Sequence, residues 1–66
     1  MRKELKIFRL TNDLTQREMA VKLNVSVSTY NLIEQGKRRG SQEFWLTLQK
    51  EFNLEGGKVW ELQQLI

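Results

Sequence analysis

The chain has 66 residues, of which 39% are apolar and 29% are charged, and its formal net charge is +3. This length suits one small domain, and the composition is that of a globular protein rather than a disordered tail. Because the chain contains no cysteine and no histidine, it lacks disulfide bonds, the usual zinc ligands and the common catalytic nucleophile pairs, so we expect neither an enzyme nor a bound cofactor or metal.

The positive charge is unevenly distributed along the chain. Residues 1–40 carry nine Lys or Arg and four acids, a balance of +5, whereas the remaining residues have a balance of −2. This asymmetry favours contact between the first part and a polyanion, although uneven surface charge is also common in small proteins. The sequence has no long apolar run, so we expect no signal peptide or membrane span and a cytoplasmic protein.

The first two predicted helices lie at residues 2–10 and 15–23. Leu5, Ile7 and Phe8 have helical spacing in the first, which the polar turn formers "TND" at 11–13 should end. Thr15 followed by Glu18 fits a capping box at the start of the second. Asn24 is a natural stop for that helix.

Three further helices are predicted after Asn24. Ser26 should cap a helix that extends to Gln35, with Gly36 in the left-handed conformation that ends many helices. Ser41 should cap a fourth helix, and a fifth should follow the "EGG" segment at 55–57. Apolar residues recur at helical spacing in these last two helices, namely Trp45, Leu48 and Phe52 in the fourth and Val59, Trp60, Leu62 and Ile66 in the fifth. The prediction is an all-α domain of five helices that spans residues 1–66.

The segment 15–35 has the pattern of two helices that cross at a steep angle. Its apolar positions are those that such a crossing would bury, namely Met19, Ala20, Leu23, Val25, Tyr30 and Ile33. A short turn at Asn24, which tolerates a left-handed backbone, separates the helices. This spacing is typical of a helix-turn-helix, although any small bundle with a tight helical corner would share it.

The stretch "LTQREMAVKLNVSVSTYNLIEQGKR" at residues 14–38 resembles the helix-turn-helix of the phage Cro and lambda-repressor-like DNA-binding domains. That resemblance implies a compact five-helix fold with one helix before the motif and two after it. It also implies a Cro-like regulator of a phage or prophage that binds an operator in double-stranded DNA as a homodimer and acts by occupancy. By the same resemblance, Arg9 and Glu34 should form an ion pair between the first and third helices.

Two segments are predicted to contact DNA phosphates. The first is the start of the second helix, where free N–H groups and the positive end of the dipole favour an anion near Thr15 and Gln16. The second is "GKRRG" at 36–40, in which Lys37, Arg38 and Arg39 follow the motif directly. Arg17, Lys3 and Lys6 are weaker candidates for phosphate contact. A plain helix cap and a solvated turn are the alternative interpretations of the two segments.

The third helix is predicted to read bases through Val27, Ser28, Asn31 and Leu32. Asn31 can bind adenine with two hydrogen bonds, Ser28 can contact several base edges, and Val27 can touch a thymine methyl group. The outward positions, which include Gln35, carry no Lys or Arg for guanine. Val27 and Leu32 therefore also fit a surface that binds protein.

Two functions from different classes follow from these features. One is the operator-binding regulator, and the other is a phage modulator or antirepressor that binds another repressor protein through the third helix. For the regulator, a symmetric association surface is expected away from the basic side, formed by Leu65 and Ile66 with Phe44 or Leu46. Trp60 and Leu62 are expected to complete the core.

Overall fold

The computed structural model describes residues 1–65, and Ile66 lies outside the described residues. Between residues 1 and 65 every regular element is helical, which confirms the predicted all-α class. The five helices are α1 (Lys3–Thr11), α2 (Gln16–Lys22), α3 (Val27–Glu34), α4 (Gln42–Phe52) and α5 (Gly56–Gln63). None of these helices is long and apolar enough to cross a membrane.

Side-chain caps fix where the three middle helices begin. The Thr15 hydroxyl accepts from the Glu18 backbone N–H at 3.0 Å, and the Glu18 carboxylate accepts from the Thr15 N–H at 2.9 Å. These hydrogen bonds hold the pKa of Glu18 below its ordinary value. Ser26 and Ser41 accept in the same way from the third residue of α3 and α4. All three predicted caps are confirmed, and each is worth about 1 kcal/mol.

Left-handed residues end the helices or turn the chain between them. Asn24 has φ 59° in the turn between α2 and α3, and Gly36 has φ 82° just after α3. Gly40, with φ 80°, precedes the cap of α4. Asparagine and glycine tolerate this conformation better than other residues, so the chain changes direction where the sequence predicts.

The helices share one apolar core. α2 packs against α3, and α1 and α4 both pack against α5. The predicted burial between α2 and α3 is confirmed, because Met19, Ala20, Leu23, Tyr30 and Ile33 are all at most 2% exposed and Val25 is half-buried. The remaining buried core residues are Leu5, Phe44, Trp45, Leu48, Val59 and Leu62.

Trp60, expected to complete the core, and Ile7, which has helical spacing with Leu5, both lie on the surface. Trp60 is 65% exposed and Ile7 is 45% exposed. In α5 the buried stripe is Val59 and Leu62, and Trp60 lies about 100° around the helix from Val59 because each residue turns an α-helix by that angle. In α1 the position four residues after Leu5 is the buried Arg9, so a charged side chain occupies the inner face and Ile7 points away from it.

α5 also begins earlier than the sequence suggests. Gly56 and Gly57, which read as a break, form the first turn of the helix after Glu55. Nothing lies within 4 Å of a Cβ on either glycine, so neither is required by close packing.

Candidate nucleic-acid interface

The first turn of α2 contacts the middle of α3 through polar side chains. Asn31 Nδ2 donates to Gln16 Oε1 at 3.0 Å, and Gln16 Nε2 donates to Glu34 Oε1 at 3.2 Å. A turn of only four residues joins the two helices, as expected for a helix-turn-helix. The N-terminus of α2 and the outer side of α3 are therefore held in one fixed relation.

Beneath this contact lies a buried ion pair between Arg9 and Glu34, the two residues that the family resemblance pairs. Arg9 Nε donates to Glu34 Oε2 at 2.9 Å and Arg9 Nη2 donates to Glu34 Oε1 at 3.2 Å. The Tyr30 hydroxyl adds a bond of 2.6 Å to Glu34 Oε2. A third guanidinium nitrogen, Arg9 Nη1, donates to the Leu14 carbonyl. The pair thus joins α1, the loop before α2, and α3.

The protonation states of the buried pair follow from these bonds. Burial alone would raise the pKa of Glu34, but hydrogen bonds from Arg9, Tyr30 and Gln16 outweigh it, and the pKa lies below its ordinary value. The hydrogen bond to Glu34 raises the pKa of Arg9. Burial and the neighbouring carboxylate raise the pKa of Tyr30. At neutral pH the site therefore holds a carboxylate, a guanidinium and a neutral phenol.

The four predicted base-reading residues differ in their exposure. Ser28 is exposed and Val27 is 39% exposed, both in the first turn of α3. Asn31 and Leu32 are half-buried, so Leu32 presents less surface than predicted. No buried side-chain nitrogen or oxygen within residues 1–65 lacks a hydrogen-bond partner, and Asn31 Oδ1 accepts no hydrogen bond from these residues. That oxygen is therefore not fully buried and can accept a hydrogen bond from a ligand.

The cationic loop at 36–40 folds back onto the end of α3. The backbone N–H groups of Lys37 and Arg38 both donate to the Leu32 carbonyl, at 2.9 and 3.2 Å. All three cationic side chains are exposed, and Arg38 approaches the Thr29 hydroxyl at 3.5 Å. The loop thus places its positive charge beside the first turn of α3.

Arg2 shapes this loop from inside, and sequence reasoning counted it only among the cations. Arg2 is 5% exposed, and its guanidinium donates to four carbonyls, those of Ile33, Arg38, Arg39 and Gln63, at 2.6 to 3.1 Å. It also lies 5.4 Å from the centroid of the Trp45 ring. Burial lowers the pKa of Arg2. An arginine among other N-terminal cations carries no sequence signal for such a role.

At the predicted phosphate site at the start of α2, the Gln16 side chain is already hydrogen-bonded within the protein. Thr15 caps the helix, and Arg17 is exposed on its first turn. Gln16 is half-buried, with its amide bound to Glu34 and Asn31, so it does not extend freely toward a phosphate. Because Thr15 occupies the Glu18 N–H, the backbone N–H groups of Gln16 and Arg17 remain for an anion.

The predicted association surface is wrong in one of its members. Phe44 is 3% exposed and belongs to the core, because α4 turns it toward Tyr30. Leu46 and Leu65 are 47% and 59% exposed. Ile66 lies outside the described residues.

Leu65 lies closer to the basic loop than expected. Its Cδ2 atom is 2.9 Å from the place where a Cβ on Gly36 would be, so it covers the end of α3 rather than a remote face. Leu46 instead borders a groove of about 430 Å³ between α4 and α5, whose lining includes Trp45, Gly56 and Val59. The exposed Trp60 lies on the same flank of α5 as Gly56, since four residues span about one helical turn.

A protein-family model described as helix-turn-helix matches residues 5–58, a range that includes most of α1, all of α2 to α4 and the start of α5. No curated protein and no solved structure matches the chain.

Proposed function

The chain belongs to the helix-turn-helix family of DNA-binding regulators, and from this premise we propose that it is a Cro-like phage or prophage repressor that acts by occupying its operator. The proposal rests on the polar contacts that join the three parts proposed to face DNA, namely α2, α3 and the loop at 36–40. Gln16 links α2 to Asn31 of α3, and Arg38 of the loop approaches Thr29 of α3.

Phosphate contacts supply most of the affinity in this proposal. Lys37, Arg38 and Arg39 are exposed and lie next to the first turn of α3, where a DNA backbone would pass. The free N–H groups at the start of α2 hold a second phosphate. Such contacts orient the domain on the duplex and carry no sequence information.

Sequence is read by α3 in this proposal. Ser28 and Val27 approach base edges from the first helical turn, and Asn31 presents its free Oδ1. α3 offers no cationic side chain, so readout depends on amide, hydroxyl and methyl contacts.

One domain reads a half-site, so the proposed regulator is a homodimer whose half-sites are about 34 to 36 Å apart. The surface that we propose for association combines Leu46, which lines the groove between α4 and α5, with Trp60 of α5. Both are exposed, and aromatic residues such as Trp60 often dominate interface energy. Leu65 contributes at the edge of this surface nearest the loop.

The proposal is tested by titrating the purified protein against DNA from upstream of its own gene at 50 and 200 mM salt. A dimer that neutralises about 6 to 10 phosphates should lose roughly 10³ to 10⁵ in affinity over this range. Affinity that does not change with salt would contradict the role of the loop.

A second candidate function is a modulator that binds another repressor protein. The absence of Lys and Arg from α3, together with the 39% exposure of Val27, favours this candidate. A neighbouring regulator from the same genome serves as the alternative ligand in the titration. Binding to that protein but to no DNA would replace the first proposal by the second.

A further inference from the structure

A line of three side chains connects the buried ion pair to the surface of α3. Glu34 is 2% exposed, Gln16 and Asn31 are half-buried, and each contacts the next through a single hydrogen bond of 3.2 or 3.0 Å. The line therefore runs from a fixed charge in the core to a half-buried side chain on the outer side of α3.

The charge at the inner end determines how each amide is turned. An ionised carboxylate accepts hydrogen bonds and donates none, so the nitrogen of Gln16 must face Glu34 and its oxygen must face Asn31. An oxygen in turn requires a donor, so Asn31 turns its nitrogen toward Gln16. The remaining free groups of Asn31 are its Oδ1 and one N–H.

A side chain held in this way selects among bases by the polarity of their edges. Adenine offers an N6 donor and an N7 acceptor in the major groove, which match a free oxygen and a free N–H. Guanine offers two acceptors, O6 and N7. Its O6 would lie against the Asn31 oxygen, and two acceptors cannot form a hydrogen bond with each other. If Asn31 could turn over, this discrimination would be lost.

We propose that Gln16 is a positioning residue that determines base specificity. The Glu34 carboxylate fixes the orientation of the Gln16 amide, and Gln16 in turn fixes the orientation of the Asn31 amide. Asn31 therefore selects adenine over guanine at one base pair of each half-site. This inference rests on the proposed DNA-binding function and adds to it the base that one reader takes and the residue that imposes the choice.

Replacement of Gln16 by lysine or by methionine should change the orientation of Asn31 in two different ways. In Gln16→Lys the ammonium still pairs with Glu34, but it can only donate, so Asn31 should turn its oxygen inward and present its nitrogen to the DNA. In Gln16→Met the connection is absent and Asn31 is free to adopt both orientations. The matched control is Lys22→Met, which removes an exposed side chain at the other end of α2 without touching the line.

The experiment measures binding to a site selected from random DNA and to its three substitutions at each base pair, at one salt concentration. In the wild type one position should prefer adenine to guanine by about 5- to 150-fold, which is 1 to 3 kcal/mol. That ratio should fall at least tenfold in Q16K and at least threefold in Q16M, and remain unchanged in K22M. Thermal unfolding verifies that each variant is folded, and Q16K carries the test if Q16M is not.

The outcomes separate this inference from the function on which it rests. If Q16K and Q16M weaken binding to all sites equally, or keep the wild-type ratio, Gln16 has a structural or phosphate role and the inference is wrong while the function stands. Wild-type binding without any adenine preference also overturns the inference alone. A wild-type protein that binds no duplex overturns the proposed function as well.

Discussion

Replacement of Arg9 by methionine should remove a large part of the stability of the domain. Methionine retains much of the volume of the arginine but removes two of the four hydrogen bonds to Glu34, together with the positive charge beside it. It also leaves the Leu14 carbonyl without its donor. Glu34, at 2% exposure, has no access to water in compensation.

The expected loss is about 3 to 5 kcal/mol, the usual cost of removing one partner from a buried ion pair. A domain of 66 residues has a total free energy of unfolding of about 3 to 10 kcal/mol. The R9M variant should therefore lose at least about a third of its free energy of unfolding at neutral pH and 25 °C. Urea denaturation followed by circular dichroism measures the difference.

The pH dependence of this stability loss shows whether it arises from the unpaired charge of Glu34. In the wild type the folded pKa of Glu34 is lowered, so its contribution is present above the unfolded pKa and is lost as pH falls through the folded pKa. In R9M, burial without the guanidinium should instead raise the folded pKa, and acid should relieve the penalty by protonating Glu34. The difference between the two proteins should therefore shrink between pH 7 and pH 4.

The double variant R9M/E34Q and the surface variant R17M serve as controls. The first removes the unpaired charge and should recover part of the loss, while the second should change stability by less than about 0.5 kcal/mol. An R9M loss below about 1 kcal/mol, or one that is equal at pH 7 and pH 4, would show that the ion pair does not act as described.

Three further variants test other parts of the molecule. R38A/R39A should weaken binding to all DNA sequences alike and lower the slope of log affinity against log salt concentration by about 2 per protomer. The control K58A on α5 should change neither quantity. A change in base preference, measured by filter binding, would refute a role limited to phosphates. Trp60→Ser should leave urea stability nearly unchanged, because the ring is 65% exposed, but weaken self-association by about 2 kcal/mol or more in sedimentation; an unchanged mass would exclude this surface. Gly40→Ala should cost at least about 1 kcal/mol in thermal unfolding, since φ is +80° and the new Cβ would lie 2.8 Å from Trp45 Nε1. The control Gly57→Ala should instead stabilise α5 by up to about 1 kcal/mol. Equal effects of the two substitutions would contradict the strain at Gly40.

The sequence alone predicts the helices and the motif, because the signals for both are local. Thr15, Ser26 and Ser41 cap helices within three residues of themselves, and Gly36 ends α3 through its own backbone freedom. The apolar spacing of Met19, Ala20 and Leu23 follows from the period of one helix. Such features require no knowledge of distant segments.

Only the tertiary structure decides which surface each distant side chain reaches. Arg2 bonds to carbonyls 31 to 61 residues away along the chain, and no local pattern indicates such partners. The inner position of Arg9 moves Ile7 to the surface, and the rotation of α5 exposes Trp60 while α4 buries Phe44. Gln16 reads as a free phosphate ligand until Glu34, 18 residues later, fixes its amide. Local hydrogen bonds and periodicity therefore determine where the helices begin and end, whereas the orientation of the readers and of the association surface depends on how those helices pack.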